Sequence, residues 1–118
     1  MALVLCTGID AVLITTRQLI LEQAGHQVVT ATHEFAITAA CQEHKFDVAV
    51  IGQAVSARAK QRILALIRKH CGSAKILELY RFNTGKILED ADSWLEVPAD
   101  VPQELAARVT TLAAEVRK

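Results

Sequence analysis

Residues 46–52 read Phe-Asp-Val-Ala-Val-Ile-Gly, and this stretch decides the fold. Val48, Ala49, Val50 and Ile51 form an unbroken apolar run of strand length, without polar–apolar alternation. Such a strand is covered on both faces, as an inner strand of a parallel sheet is. Gly52–Ser56 reads as a loop, and Ala57–Cys71 as a helix with Ile63, Leu66 and Ile67 at helical spacing, closed by Gly72. Upstream, Leu3–Cys6 is a short buried strand. Asp10 caps a helix running to about Ala24, with Gly25 as its terminator. Gln27–Ala31 is β-branched and strand-like, and Thr32 or His33 opens a second helix carrying Phe35, Ala36, Ala39 and Ala40. Downstream, Lys75–Leu79 is a fourth strand. The segment 81–92 is polar and turn-rich around Asn83-Thr84-Gly85 and holds at most a short helix. Ser93–Leu95 is a short fifth strand, and Pro98 and Pro102 punctuate the link to a last helix from about Gln103 to Arg117. This alternation predicts an α/β three-layer sandwich of the flavodoxin-like kind. Its five-stranded parallel sheet has the order 2-1-3-4-5, and its fourth helix is shortened or missing.

The 118 residues are expected to form a single domain over 1–118, without repeat, low-complexity tract or linker. Hydrophobic residues make up 52% of the chain, enough for a sizeable core. The net charge is zero, which argues against non-specific nucleic-acid binding. No apolar run approaches the length of a membrane span, and the amino-terminal stretch reads as a first strand and not as a leader. Cys6, Cys41 and Cys71 are odd in number and match no zinc or redox spacing, so free thiols in a reducing cytoplasm are expected. Cys41-x-x-His44 and His70-Cys71 give pairs of ligands where structural zinc needs four; ordinary helix residues are the simpler reading, and no metal or cofactor is expected. His26 and His33 flank the second strand as partly exposed loop and cap residues, with a pH switch as the alternative. Ser56, Ser73 and Ser93 have no supporting His and Asp arrangement, so no enzyme activity is expected.

Three stretches carry a family resemblance. They are Leu-Val-Leu-Cys-Thr-Gly-Ile-Asp at 3–10 with Ala-Gly-His-Gln-Val-Val-Thr-Ala at 24–31, the Phe-Asp-Val-Ala-Val-Ile-Gly quoted above, and Ala-Asp-Ser-Trp-Leu-Glu-Val-Pro at 91–98. With the element order they resemble receiver domains of response regulators over essentially the whole chain. The segment between strands four and five is about five residues shorter than usual for such domains. The resemblance implies a defined chemistry: two acidic residues after strand one for Mg²⁺, an Asp ending strand three as phosphoacceptor, a hydroxyl ending strand four, and a Lys before a Pro ending strand five. Here the acidic pair falls on Thr7 and Gly8, the acceptor on Gly52, the hydroxyl on Leu79 and the lysine on Val97, with the proline kept as Pro98. None of the five supplies the required group. The resemblance therefore implies a degenerate receiver in two-component or phosphorelay-type signalling that works by protein–protein interaction without phosphorylation. The expected partner is a kinase-like helical bundle, an output protein or a second copy in a homodimer. The rival reading is a small-ligand sensor using the cleft near Gly8 and Gly52, against collapse of side chains into that space.

Surfaces that could serve such contacts are also visible. On the first helix, Val12, Thr16, Leu19 and Ile20 are assigned to the core. Ile14 and Leu21 then point outward as candidate anchors for a partner, with Arg17 and Gln18 between them. Arg58, Arg62 and Lys69 share an outer stripe within a run, Arg58 to Lys75, of six bases and no acid. Glu89 to Glu104 holds six acids and no base. Solvated faces are the ordinary explanation for both, and electrostatic selection of a partner the functional one. Trp94, in strand five, is assigned to static packing or to an interaction face.

Overall fold

A computed structural model describes residues 2–97 and 103–116. Pro98, Asp100, Pro102 and the end of the last helix at Arg117 lie outside the described residues. The elements are β1 (Leu3–Thr7), α1 (Ala11–Gln23), β2 (Gln27–Ala31), α2 (Glu34–Glu43), β3 (Val48–Ile51), α3 (Ala57–His70), β4 (Lys75–Arg81), β5 (Ser93–Val97) and α4 (Gln103–Val116). The five strands form one parallel sheet of order β2-β1-β3-β4-β5, as the sequence predicts.

Every residue of β3 is fully buried, which explains its lack of alternation. One apolar layer joins Leu5, Ala49, Ile51 and Ile76 to α2 and α3 through Ile37, Ile63 and Ile67. The opposite layer joins Val4, Cys6, Val48, Val50, Leu77 and Leu79 to α1 and α4 through Leu21, Leu105, Val109 and Leu112. Asp10 caps α1 by accepting from the amides of Val12 and Leu13 at 3.0 and 3.2 Å. At the other end, Gly25 (φ +94°) and His26 donate back to Glu22 and Leu21, a Schellman closure that favours glycine.

The phase of α1 differs from the expectation. Ile14 and Leu21 are buried at 4% and 0% exposure, whereas Val12 and Leu19 are 74% and 56% exposed. Neither Ile14 nor Leu21 is therefore available to a partner. Apolar residues occur on nearly every side of this helix, so periodicity alone leaves its rotation undetermined. Packing decides it: Leu21 joins the core, and Ile14 lies over Gly8, its Cδ1 3.5 Å from where a Cβ on Gly8 would stand.

The connection between β4 and β5 contains no helix and is held by a buried ion pair. Lys60 Nζ on α3 donates to Glu78 Oε2 on β4 at 2.8 Å and to the Leu79 carbonyl at 2.9 Å. The same carboxylate accepts from the amides of Ile87 and Leu88 at 3.1 and 2.9 Å, and Leu88 is fully buried beneath the connection. Lys60, one of the six bases of the charged run, is thus not a surface charge.

Two cysteine expectations are also corrected. Cys41 and Cys71 are joined as a disulfide, their Cα atoms 5.6 Å apart; only Cys6 is free. The two cysteines are 30 residues apart in sequence. They meet because α2 and α3 pack side by side on one face of the sheet.

Candidate functional site

The carboxyl ends of β1 and β3 meet at two glycines. The Gly52 amide donates to the Thr7 carbonyl at 3.1 Å, and the Thr7 hydroxyl is spent on the Val50 carbonyl at 2.9 Å. A Cβ on Gly52 would stand 3.0 Å from Arg17 Nη1, 3.1 Å from the Thr7 carbonyl oxygen and 3.6 Å from Gly8 Cα. The space beside Gly52 is thus already taken by the Arg17 guanidinium, which reaches in from α1 and donates to the Gln53 side chain. Arg17 is only 8% exposed, where the sequence reading placed it outside. Its burial lowers its pKa, opposed by the fields of Cys6 and Asp10. Burial pushes the Cys6 thiol up to about 12, with the Arg17 charge acting against the shift.

Ile14 and Arg17 stand beside the two glycines, 3.5 Å from where a Cβ on Gly8 would be and 3.0 Å from where one on Gly52 would be. A recess of about 230 Å³ touches Gly8 from the α2–α3 side. A larger cavity, of about 800 Å³, opens on the other flank, between α1, the ends of β4 and β5, and α4. Its walls include Leu13, Ile20, Leu79, Leu95, Val97 and Leu105, and Arg17, Gln53 and Arg81 supply polar groups. Leu79 and Val97 therefore share one site with Arg17, while Thr7 turns its hydroxyl into the sheet.

The remaining candidates sit elsewhere. Arg58, Arg62 and Lys69 are exposed on α3, and Arg62 pairs with Glu34 at 3.1 Å. Trp94 is half-buried; its Nε1 donates to the Leu88 carbonyl at 2.9 Å, and Lys86 Nζ lies 5.0 Å from the ring centre. Of the acidic run, Asp92 accepts from the Ile76 amide at 2.7 Å and pairs with Arg68 at 3.4 Å, so part of that charge is structural. His33 caps α2 by accepting from the Ala36 amide at 3.2 Å, as read from the sequence. His26, in contrast, is buried: Nδ1 accepts from the Ala2 amide at 3.1 Å and Nε2 lies 3.0 Å from Thr110 Oγ1.

Sheet order and flanking helices define the flavodoxin-like α/β class. Within it, the chain has the fold of response-regulator receiver domains. It superposes on a receiver-domain protein from Clostridium thermocellum with TM-score 0.83 at 19% identity, covering 99% of this chain and 98% of that one. A CheY-like receiver-domain protein from Methanospirillum hungatei JF-1 gives 0.81 at 17%, covering 99% and 97%. The receiver domain of a sensor histidine kinase from Pseudomonas aeruginosa PAO1, with a magnesium ion coordinated in its active-site cleft, gives 0.77 at 12%, covering 96% and 98%. No protein-family model matches the sequence, and no curated protein matches it by sequence.

The residues at this end of the sheet do not fit a magnesium ion. Thr7 and Gly8 offer no carboxylate, the Asp10 carboxylate caps α1, and the Arg17 cation stands beside Gly52. Among the described residues no group of three or more His, Cys, Asp or Glu could hold a metal, and no helix is long and apolar enough to cross a membrane.

Proposed function

We propose that the chain is a signalling module that uses the receiver fold without its phosphorylation chemistry and acts by protein–protein interaction. On this reading Thr7, Gly8, Gly52, Leu79 and Val97 occupy the positions of the receiver site, all five without the group that phosphoryl transfer needs. The observation that carries it is the guanidinium beside Gly52. A side chain there would need Arg17 and the Thr7 carbonyl to give way, and glycine has no carboxylate to phosphorylate. The exposed apolar stripe of α1 is Val12 and Leu19, which replaces Ile14 and Leu21 as the candidate contact with a helical-bundle partner, an output protein or a second copy. Arg58 and Lys69 on α3, which pair with no acid among the described residues, supply electrostatic steering, so association weakens as salt rises.

The test is incubation with acetyl phosphate and Mg²⁺ followed by intact-mass measurement. The expected outcome is an unchanged mass. A gain of one phosphoryl group on an aspartate would end the proposal.

A further inference from the structure

We propose that the cavity between α1, the ends of β4 and β5, and α4 is a binding site for a small amphipathic carboxylic acid, its carboxylate on Arg17 and its apolar body along Leu79 and Val97. This goes beyond the interaction reading and does not depend on it. The volume, about 800 Å³, lies within the ordinary range of small-molecule sites. Six aliphatic side chains form its walls, a lining suited to a hydrocarbon or aromatic body. Polar groups complete the lining, Arg17, Gln53 and Arg81 among them, as in sites where a small number of fixed polar groups orient a ligand.

Charge selects the head group. Arg17 is nearly buried, and its Nη2 donates to the neutral side chain of Gln53. Among the described residues no carboxylate lies within ion-pair distance of it. Arg81 adds a second cation to the lining, and Asp10, the only acid there among the described residues, is committed to the α1 amides. A buried guanidinium presents a planar fork that matches a carboxylate, and it gains most from one where water is scarce. Phe82, 84% exposed, also lines this cavity, where it can cover the apolar end of a ligand.

Calorimetric titration of the full chain with decanoate and with decanol tests the proposal. The acid is expected to bind saturably at one site, and the alcohol about ten- to a hundred-fold more weakly, the usual value of a hydrogen bond to a charged group. Arg17→Met should bring the acid down to the alcohol's affinity and leave the alcohol unchanged. Val97→Trp, which fills the cavity from a half-buried strand end, should remove both while Arg17 stays in place. Absence of decanoate binding, equal affinities for acid and alcohol in the unmodified chain, or an acid preference that survives Arg17→Met would each overturn it. Should Arg17→Met not fold, Val97→Trp decides: undiminished acid binding in that variant places the ligand elsewhere.

Discussion

Lys60 and Arg17 are both cations turned into the protein, one on each face of the sheet, and they are settled in opposite ways. Lys60 is 1% exposed, meets a carboxylate at 2.8 Å and a carbonyl at 2.9 Å, and lines neither of the cavities described above. Arg17 is 8% exposed, has an amide for a partner and borders a cavity. The difference teaches that burial of a charge does not itself indicate its purpose; the partner does. A fully paired charge holds structure together. A charge with a neutral partner at a cavity wall retains the capacity to pair with something else.

The largest expected effect is on the paired side. Glu78→Ala removes the counter-charge of Lys60 and the acceptor of the Ile87 and Leu88 amides together. Breaking a buried pair from one side costs about 3–5 kcal/mol, which urea unfolding would register as a lowered midpoint. Lys60→Met should cost less, because the carboxylate keeps its two amide donors. Equal losses for the two variants would mean that the β4–β5 connection does not depend on this carboxylate.

That pair also marks the limit of what the sequence discloses. The sheet was legible because strands buried on both faces are chemically uniform: Val48–Ile51 and Leu3–Cys6 could hardly be anything else. The same uniformity contained an unused signal. Glu78 interrupts Ile76-Leu77-Glu78-Leu79, and a carboxylate in an inner strand requires a partner. Which base supplies it, out of a run of six, depends on how α3 lies against β4. The Cys41–Cys71 pairing depends likewise on how α2 lies against α3. Arg17 was illegible for a related reason. With Val12, Leu13, Ile14, Leu19, Ile20 and Leu21 spread around α1, a one-dimensional pattern cannot select the face that turns inward.

The rotation of α1 carries the next effect in size. Leu21→Ala should cost about 2–5 kcal/mol, as removal of a buried leucine does, while Val12→Ser with Leu19→Ser should stay within about 1 kcal/mol. The reverse ranking in urea unfolding would return the helix to the phase first read from sequence and take Arg17 out of the cavity.

Cys6 reports on the environment of Arg17 through an effect confined to alkaline pH. Its folded-state pKa, about 12, lies above the ordinary value of 9.0. The unfolded chain therefore releases this proton first, and the native state loses stability as pH rises from about 9 toward 12. The slope attributable to this thiol is about 1.4 kcal/mol per pH unit within that window. Cys6→Ala should flatten the alkaline limb of a stability–pH curve by that amount. Identical limbs would show that the thiol beside Arg17 is not held neutral.

The smallest expected change in stability belongs to Arg17 itself. Arg17→Met keeps a long side chain between Gly52 and the cavity, loses the bond to Gln53 and removes the cost of keeping a guanidinium away from water. Gln53 is half-buried, so water can take over its oxygen. These terms oppose one another, and the net change in the urea midpoint should correspond to less than about 1 kcal/mol. A loss as large as that of Glu78→Ala would make Arg17 a structural cation like Lys60 and erase the contrast between the two sites. A near-neutral result means that the fold carries this charge without needing it, which is what a residue kept for a ligand or a partner should show.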